Sequence, residues 1–282
     1  MTPEEIAAAF RTACLAELQA LKPGNVHVHA GGHGMTVADF ETSADVAAPW
    51  IARAGAGVGA RILGAVEATR AAVGRNTNLG IVLLCAPLAC AAERVDPGAE
   101  LRARLTRLLD ELDIDAAALA YRAIRIAAPG GLGASPQHDV RDEPRVDLRE
   151  AMRAAAGRDR IAAQYANGFE DVFGIGVARL DARRAQGWPE AWAVTACYLA
   201  FLATFPDSHV LRNQGAALGE VVRKRAAGFV RTLDSNGPEA SRDALLAWDG
   251  ELKRQGINPG TSADLTVASL FASALEPRPP GC

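Results

Sequence analysis

Aromatic residues make up only 5% of this chain, and no apolar run reaches the ~20 residues that a membrane span requires. The longest runs, residues 79–92 and 193–205, fall short of that length. Basic charge is not in excess either. Thirty Lys and Arg against 33 Asp and Glu leave a net charge of −3, without the basic surface typical of nucleic-acid binders. The five cysteines, Cys14, Cys85, Cys90, Cys197 and Cys282, form no C-x-x-C pair. Four of them fall in apolar helical patterns, where a free thiol behaves as a small hydrophobe. That usage suits a reducing compartment better than a disulfide framework. The opening Met1-Thr2-Pro3-Glu4-Glu5 lacks the basic stretch that begins a signal peptide, so a cytoplasmic location is expected.

Several catalytic signatures are missing as well. There is no G-x-x-x-x-G-K-[ST] phosphate loop and no G-x-G-x-x-G after a strand. Gly55-Ala56-Gly57-Val58-Gly59 lies between helical patterns and reads as a helix junction. Ser43, Ser135, Ser208 and Ser262 lack a nucleophile-elbow context.

Two-residue alternation is scarce, and almost every long segment follows a helical period. Helices are expected over residues 2–21, 36–53, 57–73, 79–94, 99–112, 114–127, 148–156, 158–186, 189–204, 208–227, 238–255 and 262–275. Ile6, Phe10, Ala13, Cys14 and Leu18 form one stripe of the first, and Lys22-Pro23-Gly24 stops it. Thr36 caps the second, with Asp39 in its first turn. The fourth is apolar nearly all round, which places it in the middle of a core. Residues 129–144 are rich in glycine, proline and charge; a long functional loop within one domain fits them better than a linker. The expected fold is all-α: a single compact domain of about ten to twelve helices around a central apolar helix, over residues 1–276. Residues 277–282 are expected to form a frayed tail.

The run Gly74-Arg75-Asn76-Thr77-Asn78-Leu79-Gly80 delivers the apolar fourth helix. Asn and Thr compete with the backbone for hydrogen bonds and so favour helix starts. An ordinary N-cap satisfies that pattern; so does a helix start open to a phosphate. Four other polar segments punctuate the helices, and three of the five share one grammar, a glycine-bearing polar turn before an apolar helix. The four are Lys22-Pro23-Gly24-Asn25, Gly31-Gly32-His33-Gly34 followed by Asp39 and Ser43, Asp207-Ser208-His209 followed by Arg212, and Asn258-Pro259-Gly260-Thr261-Ser262 followed by Asp264. Helix starts converging on one pocket would make a polyanion site, because each carries partial positive charge and unpaired N–H donors. Lys22 and Arg212 are candidates to neutralise phosphates. Glu67, Asp207 and Asp264 are candidates to hold Mg²⁺, which on a phosphate takes one or two carboxylates.

His27, His29 and His33 form H-x-H-x-x-x-H, which either holds a transition metal or simply meets substrate or water. With no cysteine or H-E-x-x-H nearby, the second reading is favoured. Residues 102–111 and 179–184 are charge-rich and read as solvated helix faces. Trp188, Trp192, Tyr198, Phe201 and Phe205 fall near helical spacing and read as core or subunit contact rather than a base-stacking platform. A homodimer through that surface is an expectation.

In order, the segments 22–26, 31–43, 64–67, 74–84, 207–215 and 258–265 resemble the triphosphoribosyl-dephospho-CoA synthase family, which supplies the prosthetic-group precursor of citrate lyase and malonate decarboxylase. The resemblance implies an all-helical fold, a Mg·ATP requirement and a glycosyl transfer. The ribose 2′-hydroxyl of dephospho-CoA attacks the anomeric carbon of ATP's ribose, adenine leaves, and the triphosphate stays on the product. On that reading Glu67 or Asp39 orients metal or acts as base. Asn76, Thr77 and Asn78 hold ribose and phosphate oxygens, with Asn25, His33, Ser43, Gly80 and Ser208 in the same binding set. Lys22, Arg212, Asn258, Gly260 and Ser262 clamp phosphates.

Departures from the family are specific. Better-known members read Asn-Thr-His-Lys-Gly where this chain has Asn76-Thr77-Asn78-Leu79-Gly80, and a Thr-His-Gly-Glu segment is absent. Residues 159–173, with Gln164-Tyr165 and Phe169, look like a divergent branch that resembles proteins of methanogens and methylotrophs. An enzyme of one-carbon coenzyme biosynthesis (methanopterin, methanofuran) acting on another phosphorylated substrate is therefore a competing expectation. A non-catalytic nucleotide-binding helical protein is another.

Overall fold

Thr2 opens the first helix, α1 (Pro3–Gln19), through a reciprocal capping box. Its side chain accepts from the Glu5 amide at 3.2 Å, and the Glu5 carboxylate accepts from the Thr2 amide at 2.8 Å. Thr36 and Asp39 repeat the device at α2 (Val37–Ile51). The third helix, α3 (Val58–Val73), starts at Gly57 and ends on left-handed Gly74. Then follow α4 (Leu79–Glu93), α5 (Leu101–Asp110), α6 (Ile114–Ala127), α7 (Leu148–Ala155) and α8 (Arg160–Asn167). A π-helical turn (Val172–Val177) leads into α9 (Ala178–Ala185), α10 (Glu190–Thr204), α11 (Ser208–Gln214), α12 (Ala216–Arg254) and α13 (Gly260–Leu275). This computed structural model describes residues 1–276 apart from Val95, Pro97 and Pro136; the tail expectation for 277–282 and Cys282 lie outside the described residues. Among the described residues there is no strand, only isolated bridges joining His27 to Ala30 and Gly32 to Met35. Nor is any helix among them long and apolar enough to cross a membrane.

The helices beyond the expected number come from breaks inside two patterns read as continuous. The 158–186 pattern splits at Gly168 and Phe169, both with positive φ. The 208–227 pattern splits at Gly215, where φ is 88°. Conversely, α12 runs across the expected boundary before Pro238, bending at Gly237 (φ 80°, ψ 178°).

The fourth helix is the centre of the molecule. Every residue from Leu79 to Ala92 is buried, and α1, α2, α3, α5, α6, α8 and α13 all pack against it. A buried leucine contributes about 1.5–3 kcal/mol relative to an exposed one, so an all-apolar surface is stable only with neighbours on all sides. Pro87 interrupts this helix's hydrogen bonding, because it has no N–H to offer the Leu83 carbonyl. The hydroxyl of buried Tyr165 donates to that carbonyl at 2.6 Å instead.

A second apolar cluster joins α10 to α12 through Trp192, Tyr198, Leu202, Val222, Leu245 and Trp248. Phe229 stacks on Trp248 with ring centroids 4.7 Å apart. Trp192, Tyr198 and Phe201 are buried, so these aromatics are core. Cys14, Cys85, Cys90 and Cys197 are free and buried.

The loop after α1 is fastened to α12. The Gly24 amide donates to Asp249 at 2.9 Å, and Tyr198 donates to the Pro23 carbonyl at 2.7 Å. His27 is fully buried: its Nδ1 accepts from the His29 amide and its Nε2 faces Asp249, each at 3.3 Å. His33 donates from Nε2 to the Gly24 carbonyl at 2.8 Å. His27 and His33 therefore tie the loop through their rings, while the His29 ring is exposed. Burial works against the Asp249 carboxylate, but hydrogen bonds from His27, Lys253 and Gly24 outweigh it and hold it below the usual range.

Candidate active site

Asp207 joins the starts of two helices. One oxygen accepts from the His209 and Val210 amides (2.9 and 3.2 Å), capping α11. The other accepts from the Ser262 amide and hydroxyl (2.7 and 2.8 Å), holding the first turn of α13. Ser208 reaches the other way and accepts from the Arg160 amide at 2.8 Å, fixing the start of α8. Three helix beginnings are thus bound to one another.

They open onto a cavity of about 650 Å³, within the 300–1,000 Å³ usual for small-molecule sites. Asn76, Thr77, Asn78, Leu79 and Gly80 line one side, from the turn into α4. Asn258, Gly260, Ala263 and Asp264 line the next, from the turn into α13. Asp159, Ile161, His209 and Arg212 follow, from α8 and α11. Tyr121, Ile124, Leu148 and Met152 make an apolar wall, and Glu17 and Asn25 also line the cavity, with Asn25 donating to Asn258 at 2.8 Å. The loop between α6 and α7 adds Gly130, Gly131, Ser135 and Asp139 to the lining, and Arg70, Arg75 and Arg158 add cationic side chains. That loop is pinned by Tyr121 to the His138 carbonyl (2.9 Å), Arg125 to the Val140 carbonyl (2.6 Å) and Arg158 to Ser135 (2.7 Å).

Gly80 of α4 faces the Asp264 side chain of α13. A Cβ there would lie 2.5 Å from the Asp264 Cγ, so only glycine admits the carboxylate. Of the four lining carboxylates, three are engaged. Glu17 pairs with Lys22, Asp139 with Arg141, and Asp159 with Arg212 at 2.5 Å. Asp264 has no hydrogen-bond or ion-pair partner among the described residues. Burial, and then the negative charges of Asp207 and Glu17, push its carboxyl well above the usual carboxylate range. Burial also raises Asp207, but its four donors favour the charged form; of this interacting pair, Asp264 is the one that takes up a proton first. Asp139 is held low by Arg141 and by the Ser135 and Arg141 amides.

The family model for ATP:dephospho-CoA triphosphoribosyl transferases matches residues 3–280. The chain belongs to this family. It is 30% identical over 216 residues to a protein of Stutzerimonas stutzeri named a probable 2-(5''-triphosphoribosyl)-3'-dephosphocoenzyme-A synthase, covering 76% of this chain and 66% of that one. A protein of the same name from Pseudomonas syringae pv. tomato is 34% identical over 116 residues, 40% of this chain and 39% of its own length. The chain thus spans between about two fifths and two thirds of the curated relatives' length. A crystal structure from Archaeoglobus fulgidus, described as a candidate triphosphoribosyl-dephospho-CoA synthase, superposes with a TM-score of 0.64. It shares 23% identity, covers 82% of this chain and 96% of its own, and so shows the helical fold.

Within this transferase-family cavity, Asn25, Asn76, Thr77, Asn78, Gly80, Arg212, Asn258, Gly260 and Asp264 come together from the sequence-derived set. Asn76 accepts from the Leu79 amide, the first of α4, at 3.1 Å, while Asn78, at the N-cap position, donates to Thr69 at 3.0 Å. Thr77 meets buried Ser43 at 2.5 Å, so Ser43 supports the wall from behind.

Other members of the set lie elsewhere. Glu67 is on the exposed side of α3, paired with Arg122 of α6 at 2.7 Å. Asp39 is spent in the α2 capping box. Lys22 is fully buried against Glu17 and Asn25, so it braces the wall and does not reach a phosphate in the cavity. His33, Ser208, Ser262 and Asp207 serve the hydrogen bonds described above. Of the expected metal set, Glu67 thus lies apart from Asp207 and Asp264 and Asp207 is occupied by its four donors, and the described residues hold no group of three His, Cys, Asp or Glu suited to a metal.

Sequence reasoning missed Glu17, His209 and Arg70 as lining residues. Lys22 near the end of the same helix was the available signal for Glu17, and His209 lay inside a segment already singled out.

Proposed function

We propose that the described residues form a catalytic unit that moves the 5-triphosphoribosyl group of ATP onto the ribose 2′-hydroxyl of dephospho-CoA, releasing adenine. The observation carrying this reading is the cavity itself, where segments 76–80, 209–212 and 258–264 meet although they are far apart in sequence. Family membership supports the same reaction.

Phosphates bring negative charge to the first turns of α4 and α13, where backbone N–H groups and partial positive charge favour them. Arg70, Arg75, Arg158 and Arg212 line the cavity and supply the cationic side chains. Asn76, Thr77, Asn258 and the Gly80 and Gly260 backbones surround the sugar and its oxygens. The apolar wall of α6 and α7 excludes water from the reacting centre. Catalysis then rests on alignment of hydroxyl and anomeric carbon and on fixed dipoles facing the oxocarbenium-like ribose.

Mg²⁺ fits this arrangement as a partner of the triphosphate. Asp264 is the lining carboxylate free to hold it, and one carboxylate suffices for a phosphate-bound Mg²⁺. Bound there, the ion would neutralise phosphate charge. The reading includes a cytoplasmic enzyme, which its four free, buried thiols suit, and a homodimer, which equilibrium sedimentation tests.

A second acceptor is favoured by one observation. Leu79 and Asn78 stand where better-known members carry Lys and His. Leu79 is an apolar part of the wall, and the Asn78 amide is committed to Thr69. This suits a divergent branch acting on another hydroxyl-bearing acceptor, such as a one-carbon coenzyme precursor. Incubation with Mg·ATP and each acceptor, followed by chromatography for adenine, separates the readings. Adenine with dephospho-CoA supports the first, and adenine only with another acceptor supports the second. Binding without turnover points to a nucleotide-binding protein that has lost the chemistry.

A further inference from the structure

We propose that His209 is the catalytic base that takes the proton from the attacking hydroxyl. The assignment rests on the transferase reading above. His209 lines the cavity beside Arg212 and Gly260. Its Nδ1 lies 2.8 Å from the Asn258 carbonyl oxygen. A carbonyl can only accept, so Nδ1 carries the hydrogen, and the neutral ring keeps its lone pair on Nε2. Nε2 has no hydrogen-bond partner among the described residues.

The backbone holds the ring's position as firmly as its tautomer. The His209 amide donates to Asp207 at 2.9 Å and to Thr261 at 3.2 Å, and its carbonyl accepts from Asn213 at 2.8 Å. Gly260 packs against the ring, where a Cβ would sit 3.5 Å from Cγ. The other lining imidazole, His138, belongs to the α6–α7 loop, and only its carbonyl is tied. Of the lining carboxylates, Glu17, Asp139 and Asp159 are held by cationic partners.

The step balances within the reaction. The hydroxyl oxygen forms its bond to the anomeric carbon as its proton passes to Nε2. The bond from that carbon to adenine breaks with its electron pair on the base. Adenine takes up one proton, directly or through solvent, and the imidazolium gives one back.

His209→Asn keeps a donor where Nδ1 stands and removes the basic nitrogen. The expected result is a fall in kcat of about 10²–10⁴-fold, with Mg·ATP affinity by calorimetry within about threefold of wild type. His209→Gly should regain part of its rate with added imidazole, which a purely structural role would not allow. Long-range ¹H–¹⁵N spectra of ¹⁵N-histidine-labelled protein should show His209 protonated on Nδ1. His209→Asn turning over within about threefold of wild type overturns the assignment and leaves the transferase reading standing. So does a ring protonated on Nε2. A wild-type enzyme that releases no adenine with any acceptor overturns both.

Discussion

Replacing Asp207 by Ala should loosen two helix starts at once. The carboxylate is 1% exposed and receives four hydrogen bonds, two from the start of α11 and two from Ser262 at the start of α13. Losing an N-cap side chain costs about 0.5–2 kcal/mol. Leaving the buried Ser262 amide and hydroxyl without partners costs about 1–3 kcal/mol each. Against this, removing a carboxyl that burial pushes up returns part of the loss. A net destabilisation of about 3 kcal/mol is expected. Unfolding entropy near 2.1 cal/mol/K per residue makes that about 5 °C in Tm for a chain of this size. Thermal melts followed by far-UV circular dichroism measure it, with Ser262→Ala, which removes one of the four bonds, as the reference at about 2 °C. An Asp207→Ala protein that melts within 1 °C of wild type, or no lower than Ser262→Ala, would refute the clamp.

Lys22→Met should destabilise by about 3–5 kcal/mol in denaturant titrations, because buried Glu17 is left without its cation. Adding Glu17→Gln to it should recover most of that loss, whereas two additive losses would contradict the pairing. Asp264→Asn should give a pH-dependent gain in Mg²⁺-free protein. The folded carboxyl titrates above its unfolded value, so its contribution to stability is full at acid pH and is lost as pH rises through the folded value. The Tm difference between mutant and wild type should grow from pH 4 to pH 8; a constant difference would argue against a buried, unpartnered carboxyl.

Much of the fold was written in local signals. Thr2 with Glu5 and Thr36 with Asp39 spell capping boxes, and both form. The all-round apolar run after Asn78 could only be central, and it is. The breaks at Gly168 and Gly215 were hidden because a single glycine inside a helical pattern usually costs only about 1 kcal/mol; here positive φ turns each into a stop.

The site was legible as turns but not as side-chain roles. The Asn76–Gly80 and Asn258–Asp264 turns read as ligand-facing, and they line one cavity. Glu67 read as their neighbour because segment 64–67 belongs to the family resemblance and stands shortly before the Asn76 turn. The rotation of α3 turns Glu67 to Arg122 instead, and that depends on packing against α6. Lys22 read as a phosphate clamp from its charge, but burial beside Glu17 spends that charge inside the wall. Glu17 sits mid-stripe on α1, and only the approach of α4 and α13 makes it part of a cavity.

The most direct test of the central claim is chromatographic detection of adenine from Mg·ATP, with and without dephospho-CoA. The cavity's convergence of helix starts and the family it belongs to predict stoichiometric adenine only when acceptor is present, together with a product that retains the triphosphate. Release of ADP or phosphate in place of adenine, with the nucleotide's glycosidic bond intact, would contradict it.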